Sequence, residues 1–263
     1  MNINEINISI QGEGKYLGHP ALIIRFNGCN LVCPYCDTKR ALENNYKKTN
    51  PKELANYLFN KYLLWYKQNK LIYPHIMITG GEPLLYLNNI DELLTELDSY
   101  IGYDKLFVEI ETNGVLLSNL DVLDTLNNEH LIHLNISPKI EPECYKKVTT
   151  IENIIETFKP ICDKLFYSNI NHIYKFVHDK ANEDKLLKFI KETDLESEDI
   201  YCMAKTPIDI LDDTEFHKQL HKNSLETVKF CVVNNFVYTP RDHIYLFGRN
   251  GKELEQMGGS NSE

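Results

Sequence analysis

The chain has 263 residues, 28 Lys and Arg against 38 Asp and Glu, a formal net charge of −10 and 43% hydrophobic residues. Such a chain can bury a substantial core as one large domain or two small ones, which excludes wholesale disorder. The acidic balance argues against nucleic acid or an anionic membrane as partner, since both demand a basic footprint, and no apolar run reaches the roughly 18 residues that span a bilayer.

The pattern alternates short β-rich runs with longer helical stretches. Residues 21–26 (ALIIRF) read as a first strand, and Pro51 opens a helical stretch to about residue 67, at a first-turn position where its missing N–H costs little. Residues 75–79 form a second strand ending at Gly80 and Gly81. The spacing of Ile90, Leu93, Leu94 and Leu97 predicts a helix over about 89–100. A third strand follows at 106–111, then a helical candidate near 120–126. Further strands are predicted at 130–136, 172–177 and 199–203, with helices at 151–158 and 183–192 between them. Strands separated by single helices imply parallel βαβ units. The fold class is therefore α/β, with enough strands for a partial barrel or a doubly wound sheet. Polar, punctuated segments follow the strand ends (GCNLVCPYC, TGGEP, ETNG and SPK), so one site is assembled from four loops. The alternation blurs after about residue 204, which predicts a C-terminal elaboration over 204–256 of the domain formed by 1–203. No internal repeat is visible. Residues 257–263 are small and polar and read as a disordered tail, while 60–74 (NKYLLWYKQNKLIYP) read as an insertion or a lid-bearing region.

The seven cysteines are an odd set, unlike a disulfide framework, and MNINEINISIQGEG lacks the basic and apolar regions of a secretory signal, so a cytoplasmic location is the default. Cys144, Cys162, Cys202 and Cys231 are scattered beside apolar or aromatic neighbours and read as small buried hydrophobes. Cys29, Cys33 and Cys36 fall within eight residues directly after the first strand. A closed zinc site wants a fourth protein ligand, and no Cys or His lies close by. A [4Fe–4S] cluster held by three thiolates keeps one iron open for a substrate or cofactor. The spacing alone leaves a zinc or thiol site as an alternative.

This C-x3-C-x2-C spacing, with the aromatic Tyr35 before the third cysteine, resembles the signature of radical S-adenosylmethionine (SAM) enzymes, in which SAM chelates the open iron. Thr79-Gly80-Gly81-Glu82-Pro83 at the second strand end resembles their GGE motif, where glycines let the backbone approach the SAM ammonium. The fold implied is a partial (β/α)6 radical SAM barrel with a C-terminal elaboration.

The segments EINISIQGEG (5–14), Gly18-x-Pro20, IRF-x-GCNL (24–31), CDT (36–38), ETNG (111–114), SPK (137–139) and YTPR-x-HI (238–244) together resemble the 7-carboxy-7-deazaguanine synthase family. That family converts 6-carboxy-5,6,7,8-tetrahydropterin to 7-carboxy-7-deazaguanine with loss of ammonia, on the route to queuosine and related deazapurines. The resemblance implies that Ile10, Gln11, Gly12, Arg25 and Thr79 contact the pterin, with Arg25 holding its carboxylate. It implies that Tyr35, Cys36, Asp37, Gly81, Ser137, Pro138 and Lys139 line SAM, that Cys29, Cys33 and Cys36 hold the cluster, and that Thr38 binds Mg²⁺. SAM contacts are also expected near 203–205, with no residue assigned. No side-chain acid–base pair is assigned, because Glu82, Glu109 and Glu111 can equally order loops or SAM. An external low-potential electron donor and a homodimer are implied as partners. Two other readings are a glycyl-radical activase, which lacks reason to carry SIQGEG and CDT together, and a non-catalytic metal-binding or redox-sensing module.

Overall fold

The computed structural model describes residues 1–102, 106–119, 121–122 and 131–248. The strands are β1 (Asn2–Ile10), β2 (Pro20–Phe26), β3 (Lys47–Lys48), β4 (His75–Gly80), β5 (Phe107–Thr112), β6 (Leu131–Ile136), β7 (Asn171–His178), β8 (Ile200–Ala204) and β9 (Val237–Tyr238). The helices are α1 (Pro51–Leu58), α2 (Leu64–Gln68), α3 (Leu87–Ile101), α4 (Ile151–Phe166), α5 (Glu183–Glu192), α6 (Asp213–Asn234) and α7 (Asp242–Phe247). Among the described residues the strands form one sheet in the order β3-β1-β2-β4-β5-β6-β7-β8-β9. From β2 through β9 every pairing is parallel, and only β1 and β3 run antiparallel to their neighbours. The sheet does not close on itself, and it is the open α/β barrel expected from the alternation.

Register divides each core strand between two environments. Leu22, Ile24 and Phe26 of β2, Ile76 and Ile78 of β4, Val108 and Ile110 of β5, and Tyr174 and Phe176 of β7 all enter one apolar cluster. The helices supply the other half of that cluster, through Leu54 and Leu58 of α1, Leu93 and Leu97 of α3, Phe158 of α4 and Phe189 of α5. With a period of two, the alternate positions must face the other side of the sheet. That side carries the polar residues described below.

Several elements differ from the sequence reading. The first strand is β1, not residues 21–26; a register shift between Ile3 and Glu5 breaks its period of two, which is the pattern by which a strand is read. The helix predicted at 151–158 continues through Pro160 to Phe166, because Ile161, Cys162 and Leu165 prolong its buried stripe. The stretch 60–74 begins against α3 and β1. A π-turn at Phe59–Leu63 joins α1 to α2, Phe59 stacks on Tyr100 of α3 at 4.9 Å, and the Tyr62 hydroxyl donates to the Ile6 carbonyl of β1 at 3.3 Å. Of the helical candidate near 120–126, only 121 and 122 are described, and both are helical; residue 130 and the tail 257–263 also lie outside the described residues. Beyond residue 204 the chain adds α6, β9 and α7, with Phe216, Leu220 and Ile244 packing on Ala204.

Pro160 cannot donate to the Glu156 carbonyl, and both residues lie on the exposed face of α4. Restoring that donor with Pro160→Ala is expected to stabilise the protein by about 1–2 kcal/mol. A higher urea midpoint at unchanged slope is the expected reading; a lower midpoint would mean that the ring's restriction of the unfolded chain outweighs the helix term.

Candidate active site

The polar face of the sheet carries Arg25 beside Thr79, Glu109 beside His133, and Glu111 beside Asn135 on paired strands, with Lys175 beyond on β7. Tyr16, from the turn between β1 and β2, sits at the strand-start end of this face. Its ring lies 5.3 Å from His75, 4.7 Å from Phe107 and 4.9 Å from His133, on three adjacent strands, so the face is concave.

The cysteine loop leaves β2 at the opposite, strand-end side and is pinned along its length. Gly28 N–H donates to Ala41 O at 2.9 Å, Glu82 N–H donates to Gly28 O at 2.8 Å, and Val32 N–H donates to Cys144 O at 2.8 Å. Lys146 adds a bond to Cys29 O at 3.0 Å, and the Asn113 amide donates to the Asn30 side chain at 2.7 Å. Gly81 presses on this loop so closely that a Cβ there would stand 2.0 Å from Gly28 O. The glycine is thus required by backbone approach. Glu82 is fully buried and accepts from Leu84 N–H at 3.1 Å, the Thr112 hydroxyl at 2.8 Å and Asn113 N–H at 2.8 Å. It therefore ties the end of β4 to the end of β5. Burial raises its pKa, and these three donors oppose the rise.

All seven cysteines are free, with Cys29, Cys33 and Cys36 half-buried and the other four buried. Burial raises Cys29 and Cys36; the hydrogen bond from Cys33 to Cys144, and then burial, raises Cys33. Lys139 pulls against the rise in all three, so its ammonium lies within the field of each thiol. Cys33 is turned toward Cys144, and among the described residues no three Cys, His, Asp or Glu side chains are gathered as a metal cage. The donor set nonetheless fits a [4Fe–4S] cluster. Three free thiols share one pinned loop, a cation faces them, and Leu31 N–H at 3.4 Å and the Asn113 amide at 3.9 Å point at the Cys29 sulfur.

The other predicted residues fall around this loop. Tyr35 donates to Glu141 at 2.6 Å, Lys139 to the Ser137 hydroxyl at 2.7 Å, and Thr38 to Asp37 at 3.0 Å. A cavity of about 490 Å³ opens between Tyr35, His178, Lys205 and Thr206, joining the cysteine loop to the ends of β7 and β8. Arg25 binds Glu5 of β1 at 3.0 Å through Nε. Ile10 pairs with Pro20 at the end of β1. Gln11 is buried and donates to Glu111 at 3.3 Å, and Gly12 packs under His243, where a Cβ would lie 2.1 Å from Nδ1.

One part of the site has no assigned role in the sequence reading. Lys175, only 2% exposed, binds Glu13 at 2.8 Å and Glu111 at 2.5 Å. Glu13 also accepts from Arg241 Nε at 3.0 Å and lies 3.7 Å from His243. Arg241 continues to Asp37 in the cysteine loop and to the Thr206 hydroxyl. Burial alone would raise Glu13, but Lys175, Arg241 and His243 hold it well below the ordinary carboxylate range. Burial would likewise lower Lys175, and Glu111 with Glu13 raises it instead. Lys175 had a signal in sequence, as the charged residue in the apolar run IYKFV.

Residues 23–193 match the Radical SAM superfamily, which sets the class of this fold and cysteine loop. The 7-carboxy-7-deazaguanine synthase of Buchnera aphidicola is 33% identical over 233 residues, covering 84% of this chain and 96% of the relative. That of Aquifex aeolicus is 34% identical over 163 residues, 59% of this chain and 64% of its own length. The crystal structure of QueE from Escherichia coli aligns at TM-score 0.54 and 18% identity over 91% of this chain and 92% of that one, a likeness of fold. The chain belongs to the 7-carboxy-7-deazaguanine synthase family of radical SAM enzymes. Neither the activase reading nor the metal-sensing reading is favoured by these matches. No described helix is long and apolar enough to cross a membrane.

Glu109 lies deeper on the same face. Its Oε1 accepts from Asn135, while among the described residues none lies in good hydrogen-bond geometry to its Oε2. Burial first, and the Glu111 charge second, push its pKa up from 4.5 to about 7. The native state thus keeps a proton that the unfolded chain releases near 4.5, so this group costs stability as pH rises from there through about 7. Glu109→Gln should be more stable than the parent at pH 8 by roughly 2–3 kcal/mol. The difference should shrink toward pH 5 in paired denaturation curves; a gap independent of pH would show that Glu109 is ionised throughout.

Proposed function

We propose that this chain performs the reaction of its family, converting 6-carboxy-5,6,7,8-tetrahydropterin to 7-carboxy-7-deazaguanine with loss of ammonia. The observation that carries this reading is the meeting of the Gln11–Glu13 turn, the Glu111 strand end and the Arg241 segment on one concave face beside the cysteine loop. These are the segments by which this family differs from a generic radical SAM core.

Cys29, Cys33 and Cys36 would hold the [4Fe–4S] cluster, with Cys33 turning away from Cys144 to do so. When bound, the cluster would supply the electron for reductive cleavage of SAM. Gly81, after β4, and Ser137, Pro138 and Lys139, after β6, would receive the amino-acid part of SAM, with Tyr35, Cys36 and Asp37 along the loop. The cavity between Tyr35 and Thr206 suits its adenosine part, which would set the SAM contacts expected near 203–205. On the concave face, Ile10, Gln11 and Gly12 offer backbone groups and an amide to the pterin edge, and Thr79 stands beside Arg25. Arg25, held by Glu5 through Nε, would present its guanidinium to the substrate carboxylate. Thr38 would give Mg²⁺ one oxygen and leave its other positions to substrate and water. The protein's contribution is to place the hydrogen to be abstracted and to exclude water and competing quenchers. An external low-potential donor, a homodimeric assembly and a cytoplasmic setting complete the proposal.

Anaerobically reconstituted protein given SAM, reductant, Mg²⁺ and carboxytetrahydropterin should form the deazaguanine, detected by mass spectrometry. Cys33→Ala should abolish it, and Thr38→Ala should raise the Mg²⁺ concentration needed by about tenfold. Deoxyadenosine without deazaguanine would leave the radical SAM core standing and overturn the substrate assignment.

A further inference from the structure

Lys175 occupies an unusual position for a lysine: it lies on the concave face of a core strand, is 2% exposed, and has Tyr174 and Phe176 on either side turned into the apolar core. Its ammonium contacts carboxylates from two segments, Glu13 from the turn after β1 and Glu111 from β5, which are joined besides by the hydrogen bond from Gln11 to Glu111. Among the described residues, the titratable and charged groups facing this pair include Asp37, within the field of Glu13, and His133, within that of Lys175. Glu13 faces Arg241 and His243, Glu111 faces Asn135 and Gln11, and Glu109 lies two residues before Glu111 on the same face. Without a cation between them, the buried carboxylate of Glu13 and the half-buried one of Glu111 would repel, and one would be driven toward taking up a proton, turning an acceptor into a donor. Each ionised carboxylate offers about four lone-pair sites, so these partners leave acceptor capacity on both.

We propose that Lys175 is a positioning residue for substrate: one buried ammonium fixes Glu13 and Glu111 as a pair of carboxylates whose placement selects a ligand edge rich in N–H donors. Under the functional reading above, on which this rests, that edge is the aminopyrimidinone of the pterin. The compact ammonium suits the task, because it bonds two carboxylates at once without the fixed fork of a guanidinium.

The test uses reconstituted holoenzyme and two variants, Lys175→Met and Lys175→Met with Glu13→Gln. Removing the cation should raise the KM for carboxytetrahydropterin by about tenfold or more and shift the acid limb of kcat/KM upward by about one pH unit or more, because Glu13 loses the strongest of the cations that hold it ionised. SAM affinity by equilibrium dialysis and iron content should both stay within about twofold. The double variant removes one of the opposed charges, so its acid limb should return toward the parent position while KM stays high. It carries the test alone if Lys175→Met does not fold. The proposal is overturned if KM and the acid limb match the parent in either folded variant. It is equally overturned if SAM affinity and iron content fall in step with pterin affinity, which would make Lys175 a packing element of the barrel. Failure of the parent protein itself to bind the pterin or form deazaguanine would instead overturn the functional reading.

Discussion

A strand in this sheet has to serve two incompatible environments, and the parallel register keeps them apart. Each core strand turns alternate side chains into the helix layer, where Ile24, Ile78, Ile110 and Phe176 are fully or nearly fully buried. The remaining positions then line up across strands at matching heights, Arg25 with Thr79 and Glu111 with Asn135. A slip of one residue in any pairing would drive carboxylates into the apolar layer and isoleucines into the site. The charged face is therefore tolerable only because the opposite face is apolar without interruption, and the register that builds the core also sets the heights of the polar groups.

The strand ends add a second kind of order, one made from backbone contacts. Gly81 and Glu82 join three consecutive loops: glycine by coming against Gly28, the glutamate by accepting from Thr112 and Asn113. Asn113 reaches back to Asn30 and the Cys29 sulfur. The thiols are thereby held by a platform that owes little to their own packing. The carboxylate of the GGE motif is spent within the protein, which explains why a residue so close to the cysteine loop need not touch the reacting molecules.

Much of this was legible from sequence, and the reasons are local. The six core strands are short apolar runs bounded by polar loops, and α5 shows its full length because Leu186, Phe189 and Ile190 recur at helical spacing. The cysteine loop, Gly81 and Ser137 could be placed because each follows a strand directly. β1 was missed because its irregular register interrupts the alternation, and α4 was cut short because a proline in a helix usually marks an end. The ion network was illegible for another reason. Lys175 is 64 positions from Glu111 and 162 from Glu13, and Arg241 is 228 from Glu13. No local pattern links such residues; only the assembly of the sheet brings them together.

That sequence distance has a consequence for how the enzyme comes into being. Synthesis proceeds from the N-terminus, and domains tend to fold as units during or after emergence. Glu13 and the cysteine loop leave the ribosome early, yet the cation that links them, Arg241, is among the last described residues to be made. A growing chain can therefore build its sheet as far as β8 while Glu13 and Asp37 still lack their shared partner. Completion of this brace follows translation order, so machinery that delivers iron and sulfide meets a fully braced cysteine loop only after Arg241 has been made and has paired with Glu13 and Asp37.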